Sequence, residues 1–207
     1  SPHKPKISAH DLMLPPLDQP TLGDRLSARG ISWAWYAAGW NDALAGHPDP
    51  SYQYHHQPYT YFRRYGDGRP ERAAHLKDET DFSAAIRRGE LPAVAFYKPL
   101  GRYNAHPGST DLFSGEARAA QLLGELERSP QWPRLLVIVT YDEHGGFWDH
   151  APPPAGDRWG PGSRVPTLLI SPFARGGHVD HTTYDTTSIL KLIEQRFDLP
   201  PLGERDA

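Results

Sequence analysis

The chain contains no cysteine. That excludes a disulfide framework, a thiolate zinc site, an iron–sulfur cluster and a cysteine nucleophile. No apolar run approaches the roughly 20 residues of a membrane-crossing helix, and the richest, Leu135–Tyr141, has the length of a buried strand. Basic residues are neither in excess nor clustered. The 22 Lys and Arg stand against 25 Asp and Glu, which argues against nucleic acid as a partner. Also missing are a G-x-S-x-G elbow, an H-E-x-x-H pair, a phosphate-binding P-loop and a dinucleotide fingerprint. A Ser–His–Asp hydrolase can be drawn with Ser109 or Ser114, but nothing local marks either serine as activated. Residue 1 is Ser rather than Met and no signal-like apolar stretch follows, so the chain reads as processed, trimmed or cut from something longer.

What is present suits one folded α/β domain. Six Trp, ten Tyr and seven Phe are too many aromatics for a solvated tail, and 207 residues is the length of a single generous domain. With 22 Pro and 19 Gly, loops take a large share of it. Ser1–Pro20, with five prolines, reads as an extended arm. Thr21, with Asp24 three residues on and Gly30 beyond, predicts a short capped helix. Ile31–Tyr36, Ala93–Tyr97, Leu135–Tyr141 and Val165–Ser171 read as strands, and residues 39–75 carry mainly turn chemistry. Asp81–Arg88, Ser114–Arg128 and Thr187–Phe197 read as helices, with Asp185, Thr186 or Thr187 capping the last. Near-continuous apolar strands alternating with helices point to a mainly parallel sheet covered on both faces, a three-layer sandwich. Trp33, Trp35 and Trp40 are assigned to core packing or a rim.

In open α/β sheets, ligands bind beyond the carboxyl ends of the strands. Leu135–Tyr141 runs directly into Asp142-Glu143-His144-Gly145-Gly146, then Phe147-Trp148-Asp149-His150. Two adjacent carboxylates at a strand exit suit a hard or borderline cation, and the paired glycines permit a sharp turn. The alternative is a polar loop, opposed by the cost of placing two like charges together without a cation or basic partner. His55-His56, in Tyr52–Pro58, diverge on a strand and sit about 100° apart on a helix, so taken alone they read as a solvated or hydrogen-bonded pair. His106, before Pro107-Gly108, is a lone loop histidine, structural unless its loop opens on the same edge as Asp142. His181 ranks behind these.

At Val139–His150, followed by Pro152-Pro153-Pro154, the sequence resembles the bacterial phosphoesterase family of acid phosphatases and phospholipases C, within the alkaline phosphatase superfamily. Ser32-Trp33-Ala34-Trp35-Tyr36, Tyr54-His55-His56-Gln57-Pro58 and His181–Leu190 agree with it in order. The Trp-Ala-Trp-Tyr form is more similar to the acid phosphatase branch. The resemblance implies an alkaline phosphatase-like fold, incomplete here, and Asp142 and Glu143 as ligands of a divalent metal ion of unspecified identity. His55, His56 and His106 would contact the phosphoryl oxygens or the leaving group. It also implies a phosphate monoester or phospholipid substrate and a periplasmic or secreted location.

The family's earlier half supplies a Glu-Asn pair to the metal and a Ser or Thr nucleophile, and neither region is present. Residues 21–207 therefore read as the C-terminal portion of a catalytic domain, inactive alone and completed by a missing N-terminal portion. The complete enzyme would pass through a covalent phospho-enzyme, with the metal activating the hydroxyl. A histidine with an unperturbed pKa near 6.5 is charged mainly at acidic pH, so all three imidazoles are expected to act there as cationic donors. The alternatives are a non-catalytic metal- or phosphate-binding remnant or subunit and, more remotely, a metal-dependent transferase.

Overall fold

The computed structural model describes residues 15–207. Three strands form a parallel sheet in the order β2–β1–β3: β1 is Trp33–Ala37, β2 is Leu76–Asp78 and β3 is Val94–Lys98. Ala37 is in register with both Asp78 and Lys98, so all three strands end at one edge. The alternation of β1 divides the core into two. Trp33, together with Trp35, packs on one face with Leu76, Val94 and Phe96. Ala34 and Tyr36 pack on the other with Phe82, Ile86 and Leu126. Burial of both faces of the central strand makes this a three-layer α/β fold.

The first face is covered by helix α1 (Leu22–Ala28), by Tyr52, Tyr59 and Tyr65 of a turn-rich stretch, and by Leu190, Ile193 and Phe197. Those last three belong to helix α6 (Thr187–Phe197). The second face is covered by α4 (Glu79–Arg88) and α5 (Leu112–Glu127), which supply Phe82, Ile86, Leu122 and Leu126. The caps follow the sequence closely. The Thr21 hydroxyl accepts from the Asp24 amide while the Asp24 carboxylate accepts from the Thr21 amide. At the last helix the N-cap residue Thr186 makes no side-chain cap bond, and the Asp185 carboxylate before it accepts from the Thr187 amide at 2.8 Å.

Of the arm expected over residues 1–20, residues 1–14 lie outside the described residues. Leu17 pairs with Phe62 and Asp18 accepts a two-pronged bond from Arg63. Two short helices, α2 (Trp40–Leu44) and α3 (Pro70–His75), and strand β2 fall where or next to where only turns were expected.

The expected strand Leu135–Tyr141 is β4 (Val137–Thr140), and Val165–Ser171 is β5 (Thr167–Ile170). They pair antiparallel in a sheet of their own, which departs from a fully parallel reading. A long loop without a crossover helix joins them, and the chain returns along β4 in the opposite direction. Leu136, Leu168, Leu169 and Phe173 on and beside this hairpin are exposed.

One close approach fixes the turn-rich stretch against β3. The Gly101 amide donates to the Ser51 carbonyl at 2.9 Å, and a Cβ on Gly101 would run into that carbonyl. Gly101→Ala is therefore expected to destabilise the fold by about 1–3 kcal/mol through local overpacking. Urea denaturation checks this, and an unchanged midpoint would contradict it.

Candidate active site

The exit of β3 holds two groups through adjacent residues. The Lys98 ammonium lies 2.9 Å from the Asp142 carboxylate, and the carbonyl of Pro99 accepts from His56 Nδ1 at 2.8 Å. Asp142 follows β4 by two residues, so the pair ties the ends of β3 and β4 together. His56 closes the 3-10 turn Tyr54–His56, and its own carbonyl accepts from the Trp35 indole at 2.7 Å. That bond explains why a tryptophan in the central strand belongs to the site's scaffold as well as to the core.

The neighbouring histidines diverge, as their adjacency requires. His56 is 4 % exposed, while His55 is exposed, its ring 4.8 Å away and edge-on. With His56 Nδ1–H donating to Pro99, Nε2 carries the lone pair. Burial first, and then the Lys98 charge, pull the His56 pKa down from 6.5 to about 4. The expectation that all three imidazoles are cationic in mild acid is corrected here: His56 is neutral across that range.

Glu143 is held from two sides. One oxygen accepts from the Gly145 amide at 2.6 Å, and the other lies 3.4 Å from His106 Nε2. Gly145 and Gly146 both adopt positive φ, so the turn that folds the loop back onto Glu143 uses the glycines as the sequence suggested. The His106 amide donates to Asn104 Oδ1 at 2.9 Å, and His106 Nδ1 donates to the Pro107 carbonyl at 2.8 Å. Both ring nitrogens thus face an oxygen, Nδ1 that of Pro107 and Nε2 that of Glu143. Two His-bearing segments and the acidic pair accordingly meet at the sheet's carboxyl edge.

The other candidates serve the loop. Asp149 accepts a two-pronged bond from Arg164, which holds its pKa far below the usual carboxylate range, and His144 Nδ1 accepts from the Gly146 amide. His181 is exposed, in the segment that leads into α6. Lys98 was missed by the sequence reading, which ended that strand at Tyr97. A lone basic residue closing an apolar strand at a parallel-sheet edge was the available signal.

Asp142 and Glu143 fit a hard divalent cation in kind, as adjacent oxygen donors. In number they are an incomplete set, since no group of three or more His, Asp or Glu among the described residues is arranged to hold a metal ion. Partial burial opposes ionisation of Asp142, yet the Lys98 ammonium prevails and its carboxyl is held below the ordinary value.

The buried neutral ring has a consequence for stability. An unfolded histidine titrates near 6.5, so between pH 6.5 and about 4 the unfolded state binds more protons than the folded one. Stability present at pH 7 should fall by up to about 3 kcal/mol across that window. His56→Asn, whose amide can still donate to Pro99, is expected to flatten the fall. Urea midpoints at pH 7 and pH 4 measure it, and an equal fall in both proteins would contradict the assignment.

A model of the phosphoesterase family matches residues 3–200. The chain is 27 % identical over 214 residues to the non-hemolytic phospholipase C of Pseudomonas aeruginosa, an alignment taking in 86 % of this chain and 29 % of that protein. It is 35 % identical over 144 residues to phospholipase C B of Mycobacterium tuberculosis, covering 58 % of this chain and 28 % of the relative. Non-specific phospholipase C6 of Arabidopsis thaliana is 32 % identical over 160 residues, covering 61 % and 30 % respectively. The chain thus spans under a third of the length of these relatives. With a match running over nearly its whole length, the chain belongs to the phosphoesterase family.

Proposed function

We propose that this chain supplies part of the active site of a metal-dependent phosphoester hydrolase, with Asp142 and Glu143 as metal ligands and His55, His56 and His106 facing the phosphoryl group. The observation that carries the reading is the gathering of His56, Lys98, Asp142, Glu143 and His106 at the exits of β3 and β4. Similarity to phospholipases C supports a phospholipid headgroup diester as substrate, while the Trp-Ala-Trp-Tyr motif keeps a phosphate monoester in the same class of reaction.

Charge supports the metal requirement. Lys98 brings one positive charge against the carboxylates of Asp142 and Glu143, and His56 is neutral. A phosphoryl group gathering negative charge needs more positive charge than that. A divalent cation on the two carboxylates would supply it and polarise the phosphoryl oxygen. His56 Nε2 would accept a proton or hydrogen bond from the attacking hydroxyl or water, and His106 stands beside Glu143. His55 offers an exposed donor beside His56.

The attacking hydroxyl is assigned to residues outside this chain. Two hydroxyls near these loops are committed: Ser114 bonds Asp111 as part of the α5 cap, and Thr140 bonds Thr167 across the hairpin. The incomplete donor set also favours a second reading, in which the chain alone is a metal- or phosphate-binding remnant without catalysis.

In the protein with its complete catalytic domain, Asp142→Ala is expected to lower divalent-supported hydrolysis of p-nitrophenyl phosphate and p-nitrophenylphosphorylcholine by on the order of a hundredfold or more. Near-normal rates would overturn the ligand assignment. The 207-residue chain assayed alone is expected to match its Glu143→Ala variant. Turnover clearly above that control would exclude the remnant reading and place an attacking hydroxyl within this chain.

A further inference from the structure

We infer that Lys98 is a positioning residue for Asp142: an internal cation that holds one carboxylate oxygen in place and keeps the acidic pair's affinity for a divalent ion low. This rests on the reading of Asp142 as a metal ligand and adds a residue that neither the family match nor the motifs assign.

Three observations carry it. Lys98 is the last residue of β3, where pairing with Ala37 of the central strand fixes its backbone. Its side chain is only 26 % exposed, whereas that of Asp142, at the start of a loop, is 66 % exposed. The ammonium is thus the fixed partner, and the carboxylate comes to it. The contact is to Oδ2 alone, at 2.9 Å. One oxygen is occupied and the other is left for a cation, so Asp142 offers a single-oxygen contact.

A positive charge that close to a ligand oxygen also repels any cation sharing the carboxylate. Lys98 therefore does two opposing things. It fixes the rotamer of Asp142, lowering the ordering cost of binding, and it would set a like charge across one carboxylate from an incoming ion, a separation on the order of 5 Å. For a monovalent and a divalent charge at that separation, the Coulomb interaction outweighs one side chain's ordering cost even at high dielectric. Neutralising residue 98 should consequently tighten divalent binding, whereas loss of a merely structural strut would weaken it. The direction of the change separates the two roles.

Electron paramagnetic resonance of Mn²⁺, titrated into the protein with its complete catalytic domain, reads the free ion directly. Lys98→Met and Lys98→Gln are expected to tighten Mn²⁺ binding by on the order of tenfold. Lys98→Arg, which keeps the charge, should stay within about threefold of the parent, and Asp142→Ala should abolish the site. Two neutral variants guard against one that fails to fold. If Asp142→Ala abolishes binding but neither neutral variant tightens it, the inference about Lys98 is wrong and the ligand reading stands. Binding that survives Asp142→Ala, or no binding by any of the proteins, overturns both.

Discussion

The exit of β3 is where the rest of this site is anchored. Within two consecutive residues the strand and its exit offer an ammonium, on Lys98, and a carbonyl just past the end of the ladder, on Pro99. The first takes Asp142 from the end of β4, and the second takes His56 from the 3-10 turn on the opposite side. Because β3 is hydrogen-bonded along its length to the central strand, both contacts inherit the rigidity of the sheet. Remove that edge and the two groups belong to loops with no common reference.

Adjacent carboxylates at a sheet edge repel unless each finds a positive or hydrogen-bonding partner. Here the two are treated differently. Asp142 faces a fixed ammonium, while Glu143 leans on a backbone amide and on His106. The histidines are also differentiated, with a neutral buried acceptor at His56 and a ring facing acceptors at both nitrogens at His106. Separating groups of the same type by environment is how one site obtains both donors and acceptors of protons.

Much of this was legible in the amino-acid sequence. The capping residues Thr21 and Asp24, the helix Thr187–Phe197 and the strands around Trp33 and Val94 lie where local pattern placed them, because caps and apolar runs are short-range signals. The acidic pair was found from the strand-exit rule and from its motif. Three features stayed hidden. Strand β2 has three residues, too few to show a period. The antiparallel pairing of β4 with β5 joins residues some 27 to 33 positions apart, which local pattern does not reveal. The ionic partner of Asp142 and the neutrality of His56 depend on which side chains meet across 44 and 43 residues of sequence, which only the fold decides. Lys98 looked like an ordinary strand end until its partner was in place.

The central claim is that the acidic pair and the imidazoles share one cation-centred site. Proton NMR of the histidine rings during addition of Mn²⁺ tests it most directly, since paramagnetic broadening reports proximity without requiring turnover. The account predicts that the His56 and His106 ring signals broaden together at low Mn²⁺ and stay sharp in Asp142→Ala, while His181 is unaffected in both. Broadening of His181 with sharp His56 and His106 signals would contradict it.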